Sequence, residues 1–269
     1  MDAADNLYGT TFGGGDSACI LSYDSNGWGM VYRLDTSRKE TVLHAFTGPT
    51  DGADPNSGLV RDAARNLYGT TLGGGGSTNA SCAIYSGCGV VFKADTTGKE
   101  TILYSFMGAP DGGFPGSLIL GSARDLYGAT GEGGAGDCMD GNDGLGCGTV
   151  FKVNISIGAE TILYSFAGGT DGMAPDSVTR DAADDLYGTT QFGGNTVCEN
   201  GDYLGCGTIF EVNTTGKETI LHRFVEIDGR TPSCWLAPGP IGGLVRYGLR
   251  RHRGREKRSG VRGQAVVEF

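Results

Sequence analysis

Apolar positions along this chain come in short runs, each rich in β-branched or aromatic residues and each bounded by Gly, Asp, Asn or Pro. One copy of the pattern reads Gly89-Val90-Val91-Phe92-Lys93, then Thr101 to Phe106 (TILYSF), then Ser117 to Leu120 (SLIL), then Asp125 to Thr130 (DLYGAT). Runs of this length, rich in strand-forming residues, predict strands and not helices. The connectors agree. Asp95-Thr96-Thr97-Gly98-Lys99 carries turn chemistry, an Asp-Gly and Pro segment follows TILYSF, and small polar residues precede DLYGAT. The whole pattern returns four times. Leu7-Tyr8-Gly9 recurs as Leu67-Tyr68-Gly69, Leu126-Tyr127-Gly128 and Leu186-Tyr187-Gly188, and Val31-Tyr32 recurs as Val91-Phe92, Val150-Phe151 and Ile209-Phe210. A unit repeated this faithfully is one supersecondary module that buries its faces against its neighbours. Four antiparallel strands per unit predict an all-β fold, a β-propeller of about four four-stranded blades, either a ring or part of a larger propeller.

Reading each blade from its GVVFK strand places complete blades at about 28–71, 88–130 and 147–190, with two strands of another at 206–224. Residues 1–7 align with 61–67, so a fourth strand at 5–11 would complete that last blade and close the array over residues 1–234. The rival reading is an excerpt of a longer propeller. Residues 235–269 lack the strand phrases, although Tyr247-Gly248 falls where the period places the next Tyr-Gly; this tail is read as disordered or as a decayed repeat.

Composition sharpens the division. Glycine is 50 of 269 residues, yet 38% of the chain is apolar, enough for a core. The formal charge of −10 is unevenly spread: residues 1–234 hold 13 basic and 29 acidic residues, residues 235–269 hold 8 and 2. An acidic repeat body repels phosphate backbones, which excludes nucleic acid as its partner. No apolar run is long enough to span a membrane, and no secretory signal is visible.

The phrases NLYGTT with Gly-Gly, GTVFK with a TTGKE turn, ETILYSF, and Asp-Gly with proline resemble the GloVer (Gloeo_Verruco) repeat of choice-of-anchor tandem repeat proteins, over roughly residues 5–232. The resemblance implies a secreted or surface-anchored bacterial protein with a propeller-like fold and no established activity. Members of that family usually carry an export signal and a C-terminal anchor, neither of which is visible here.

Three cysteine pairs, Cys82 with Cys88, Cys138 with Cys147 and Cys198 with Cys206, recur between a DLYG strand and the next GVVF strand. Such pairs in glycine-rich loops predict local disulfides and an oxidising compartment, extracellular or at the cell surface. In the first copy Trp28 holds the place of Cys88, leaving Cys19 and Cys234 over. A zinc site needs four ligands at tight spacing, which these pairs do not offer, so no metal and no cofactor is expected. His44 and His222 stand where Tyr104 and Tyr164 stand in sister copies, a packing position with a polar tip. Glycine-rich Gly131–Gly136 matches G-x-G-x-x-G without a following helix, and the acids Asp137, Asp140 and Asp143 fall out of step with a calcium loop.

The Asp-Gly pairs opening the proline loops, at Asp51, Asp111, Asp171 and Asp228, are ordinary turn chemistry, with a ring of cation or ligand contacts as the functional alternative. In an up-and-down order these loops and the cysteine loops share one rim. The leading expectation is a non-catalytic binding or structural module presenting that rim to an unknown glycan, protein or cell-envelope component, with no catalytic residue assigned. The first alternative is a propeller-type polysaccharide hydrolase or lyase, which would need an acid/base pair breaking the repeat symmetry; Glu132 and Glu199 are the acids that break it. The second alternative is a non-functional fragment of a longer repeat protein.

Overall fold

A computed structural model describes residues 2, 4–15, 27–136, 138, 146–194, 198, 205–225 and 229–232, together with the backbone of three short strands beyond residue 235. Among the described residues the chain is β throughout, apart from one 3-10 turn at Ala80–Tyr85. The first sheet holds β1 (Leu7–Thr11), β2 (Met30–Leu34) and β3 (Glu40–Ala45). The second holds β4 (Val60–Arg61), β5 (Leu67–Thr71), β6 (Val90–Ala94) and β7 (Glu100–Ser105). The third holds β8 (Gly113–Pro115), β9 (Ile119–Leu120), β10 (Asp125–Glu132), β11 (Thr149–Asn154) and β12 (Glu160–Ser165), with β8 and β9 both paired to β10. The fourth holds β13 (Met173–Arg180), β14 (Leu186–Phe192), β15 (Thr208–Val212) and β16 (Glu218–Arg223). Every pairing is antiparallel and follows chain order, and the innermost strands of successive sheets lie together, β4 beside β9, β9 beside β13 and β13 beside β17 (Ala237–Pro238). These are propeller blades.

The blades are cut at a different point from the one the repeat suggested. The LYG strand pairs with the GVVF strand that follows it, Leu126 opposite Val153 and Gly128 opposite Phe151, so the segments 28–71, 88–130 and 147–190 each straddle two sheets. β1 likewise pairs with β2, Leu7 opposite Leu34. It therefore builds the first blade and does not complete the blade at 206–224, which takes β13 and β14 instead. Beyond the fourth blade, β17, β18 (Leu244–Arg246) and β19 (Val266–Glu268) form a three-stranded antiparallel sheet.

Packing explains the repeated phrase. The glycine of each Leu-Tyr-Gly lies opposite an aromatic on the next strand, and a Cβ on Gly9, Gly69, Gly128 or Gly188 would stand 2.4–2.8 Å from the ring of Tyr32, Phe92, Phe151 or Phe210. Each of the last three rings receives a second aromatic from the preceding blade: Phe46 meets Phe92, Phe106 meets Phe151 and Phe166 meets Phe210, edge to face with centroids 5.0–5.1 Å apart. All six phenylalanines are fully buried. Edge-to-face pairs add roughly 0.5–1.5 kcal/mol to the burial of their area.

The tyrosines of the same phrase are less uniform than their repetition suggests. Tyr68 is buried, while Tyr8, Tyr127 and Tyr187 are half-buried. Tyr8 and Tyr68 donate to Asp2 and Asp62, each at 2.9 Å. Burial, and then the Asp62 carboxylate, push the Tyr68 hydroxyl up to about 12.

A further device repeats at the inner end of each blade connection. Asp54, Phe114, Ala174 and Thr231, each preceding a proline, all take positive φ, between 47° and 57°. Their amides donate to the carbonyls of Trp28, Cys88, Cys147 and Cys206. The prolines then lie against Gly29, Gly89, Gly148 and Gly207, where a Cβ would approach proline Cδ to 2.5–2.7 Å. That contact, a still closer approach to the carbonyl of Thr11, Thr71, Thr130 or Thr190 at 2.3–2.4 Å, and a positive φ of 90–98° account for the glycine after each Cys or Trp.

Candidate functional site

Strand order sends the cysteine loops, inside each blade, and the Asp-Gly loops, between blades, to the same end of the sheets. Disulfides join Cys82 to Cys88, Cys138 to Cys147 and Cys198 to Cys206, with Cα atoms 4.9, 5.1 and 5.6 Å apart. All six cysteines are buried. In the second and third blades the loop leans on the Asp-Gly connection of its own blade. Ser77 and Asn79 donate to the Met107 carbonyl at 3.3 and 3.2 Å, and a Cβ on Gly168 would stand 2.4 Å from the Cys138 sulfur. In the first blade, where the second cysteine is Trp28, the indole fills this place against Gly48. Cys19 and Cys234 lie outside the described residues, as do Asp137, Asp140, Asp143 and Glu199.

On this rim Asp111 accepts from the Tyr104 hydroxyl at 2.6 Å and from the Met107 amide at 2.8 Å, one bond to each oxygen. Asp171 repeats the arrangement with Tyr164 at 2.8 Å and the Ala167 amide at 2.7 Å. Asp51 accepts from the Thr47 amide at 2.9 Å, and His44 Nε2, in the tyrosine's place, stands 3.4 Å from its other oxygen. These carboxylates anchor their turns. Asp228 lies outside the described residues.

The third member of each cluster comes from the next blade. Glu100, Glu160 and Glu218 open the outer strands β7, β12 and β16, and each has Oε1 buried without a hydrogen-bond partner. Burial pushes all three up to about 7. Asp51, Asp111 and Asp171 of the preceding blade add to the shift by repulsion, and His44 opposes it at Glu100 as Arg223 does at Glu218. Near neutrality these glutamates share protons with solvent across three blade interfaces. Sequence reasoning passed over them because a glutamate in every copy looks like the solvated start of a strand; its regular place before Thr-Ile-Leu was the available signal.

Symmetry-breaking acids are few. Glu132 ends β10. Asp176, where sister copies carry Asn56 and Gly116, sits in the inner strand β13, and burial raises its carboxyl. Among the described residues no group of three or more His, Cys, Asp or Glu side chains is placed to hold a metal ion.

Fold and rim together define a tandem-blade β-propeller with a disulfide-tied loop face. The chain belongs to the Gloeobacter/Verrucomicrobia repeat family, whose profile matches residues 24–261. The structure is similar to that of a streptogramin B lyase, with a TM-score of 0.51 and 14% identity over 81% of this chain and 54% of that one. It is also similar to a protein of unknown function from Dyadobacter fermentans (TM-score 0.49, 12% identity, 86% and 67% covered) and to an oligogalacturonate lyase in complex with manganese (0.47, 14%, 84% and 54%). The chain thus spans about half the length of the streptogramin B lyase chain it matches. No curated protein matches the sequence.

Proposed function

We propose that this protein is a non-catalytic binding or structural module working outside the reducing cytosol, and that the disulfide-tied rim is the face it presents to a glycan, a protein or another cell-envelope component. The observation that carries this reading is the rim of the second blade. There the Cys82–Cys88 bond and the Ser77 and Asn79 hydrogen bonds fix two adjacent loops, and those loops hold Ile84 and Met107 75% and 52% exposed. Apolar side chains held out on tethered loops enter a partner's surface at little further entropic cost. Three disulfides support an oxidising location. Among the described residues no helix is long and apolar enough to cross a membrane.

The test is retention of the full chain on isolated bacterial cell envelopes and on immobilised polysaccharides, compared with an Ile84→Asp, Met107→Asp variant. Loss of binding in the variant, with no release of reducing ends or unsaturated sugars, supports the module. The hydrolase or lyase reading draws on Asp176; sugar release by the parent that Asp176→Asn abolishes would replace our reading with that one.

A further inference from the structure

The rim repeats its loops but not all of its side chains, and three departures gather in one corner, between the second and third blades. Phe114 takes the place that Asp54, Ala174 and Thr231 hold in the sister copies. Glu132 stands before the double glycine where Phe12, Leu72 and Phe192 stand elsewhere. Tyr85 ends the turn Ala80–Tyr85, the one 3-10 turn among the described residues. Side chains that serve the common fold return with the period, so three departures in one place call for a local role.

Backbone bonds bring the three together. The Tyr85 carbonyl accepts from the Gly74 amide at 3.1 Å, and the Phe114 amide donates to the Cys88 carbonyl at 2.9 Å. The Tyr85 and Phe114 rings then meet edge to face, centroids 5.1 Å apart and planes at 71°, and both are half-exposed. Glu132 lies opposite Gly113, the residue before Phe114. By alternation along β10 it shares a face with Leu126, which joins one core with Cys82, Cys88 and Phe106 of the second blade. Gly113 faces the same way, a Cβ there standing 3.7 Å from both cysteines. Ile84, beside Tyr85, is 75% exposed.

Two aromatic walls set at a steep angle beside a carboxylate are the elements of a cation site. Ring faces and negative charge attract the same ligand, and apolar walls suit a cation whose charge is spread over methyl groups. The connections that meet here, 72–89, 106–118 and 131–136, hold Asp111 and Glu132 and no Lys, Arg or His. A sugar fits the corner less well. It needs several polar partners to fix its hydroxyls, and Ser77 and Asn79 already bond the Met107 carbonyl. We infer that Tyr85, Phe114 and Glu132 bind an alkylammonium group, the rings against its methyls and the Glu132 carboxylate as its countercharge. This site extends the module reading, and the two fail separately: the envelope assay changes Ile84 and Met107, whereas the test of the cation site changes Phe114 and Glu132.

Calorimetric titration of the full chain with tetramethylammonium chloride, at an ionic strength held constant with sodium chloride, tests it. We expect saturable binding, no binding of tert-butanol, which offers the methyl groups without the charge, and a loss of affinity of about threefold or more in Phe114→Ala and in Glu132→Gln. Ala174 already stands at φ 55°, the value of Phe114 itself, so the backbone accepts alanine there. If Phe114→Ala fails to fold, Glu132→Gln carries the test. Choline chloride and phosphatidylcholine vesicles then separate the two sources of such a group. Co-sedimentation with vesicles that the same variants lose supports a lipid headgroup as the ligand, and choline binding without co-sedimentation supports a free cation. No saturable binding, equal binding of tert-butanol, or binding untouched by both variants would each overturn the site.

Discussion

The first and third blades are written in the same phrase and differ in their surroundings. Leu7 and Leu126 occupy one register position, as do Tyr32 and Phe151, Glu40 and Glu160, and His44 and Tyr164. In the third blade Leu126, Phe151 and Glu160 lie against the second, while Tyr164 lies toward the fourth; in the first, Leu7 and Glu40 face water. Trp28 fills against Gly48 the space that a disulfide fills against Gly168. Burial here belongs to the neighbour and not to the repeat. The stability of such an array is then close to a sum of blade terms and blade-to-blade terms.

The largest effect should come from emptying an interface. Phe151→Ala removes a fully buried ring that touches Phe106 and should cost about 3–5 kcal/mol, while Tyr32→Ala should cost less than half as much by urea denaturation. Equal losses would mean that the ring serves its own sheet and not the contact between blades.

Next comes the tie within the loop. Cys138→Ala with Cys147→Ala should lower stability by at most about 2–3 kcal/mol from loop-closure entropy. Reducing agent should reproduce the loss in the parent, and protease sensitivity of the third rim should rise while that of the Trp28 rim holds steady.

Acidity sharpens the contrast in a third way. Glu100, Glu160 and Glu218 rise from 4.5 to about 7 on folding, so the folded state holds protons that the unfolded chain releases. Their contribution is fully present below pH 4.5 and is lost as pH rises through 7. Thermal midpoints should therefore fall across that window, and the triple Glu→Gln variant should flatten the slope. Glu40→Gln, on the open face, should leave it in place; the reverse result would show that the buried Oε1 atoms are not the source.

The smallest effect is expected at Leu7→Ala. It should cost under about 1 kcal/mol in dilute solution, against about 2–5 kcal/mol for Leu126→Ala.

The phrases that build strands, turns and disulfides were legible before any coordinates, because each rests on local chemistry: Asp-Gly turns, alternating β-branched residues, cysteines locked to the period. Family and propeller fold followed from them. The cut between blades was not legible. A cyclic repeat can be opened at any connector, and the long glycine-rich connector looked like the boundary while the shorter Asp-Gly loop looked like a hairpin. The disulfide resolves this physically, since bonding Cys138 to Cys147 shortens the long connection from Glu132 to Thr149 until it serves as a hairpin. The carboxyl clusters escaped for another reason. Their members lie about fifty residues apart, on successive blades, and only packing brings Glu160 to Asp111.

The short span of each disulfide also bears on how the protein withstands proteases. A cut between Cys82 and Cys88, for example beside the protruding Ile84, leaves the two pieces joined through sulfur, because both cysteines flank the site six residues apart. The same holds within the other two loops. A nicked molecule would keep its mass on a non-reducing gel and split only after reduction, so damage at the exposed rim need not cost the protein its shape or its covalent continuity.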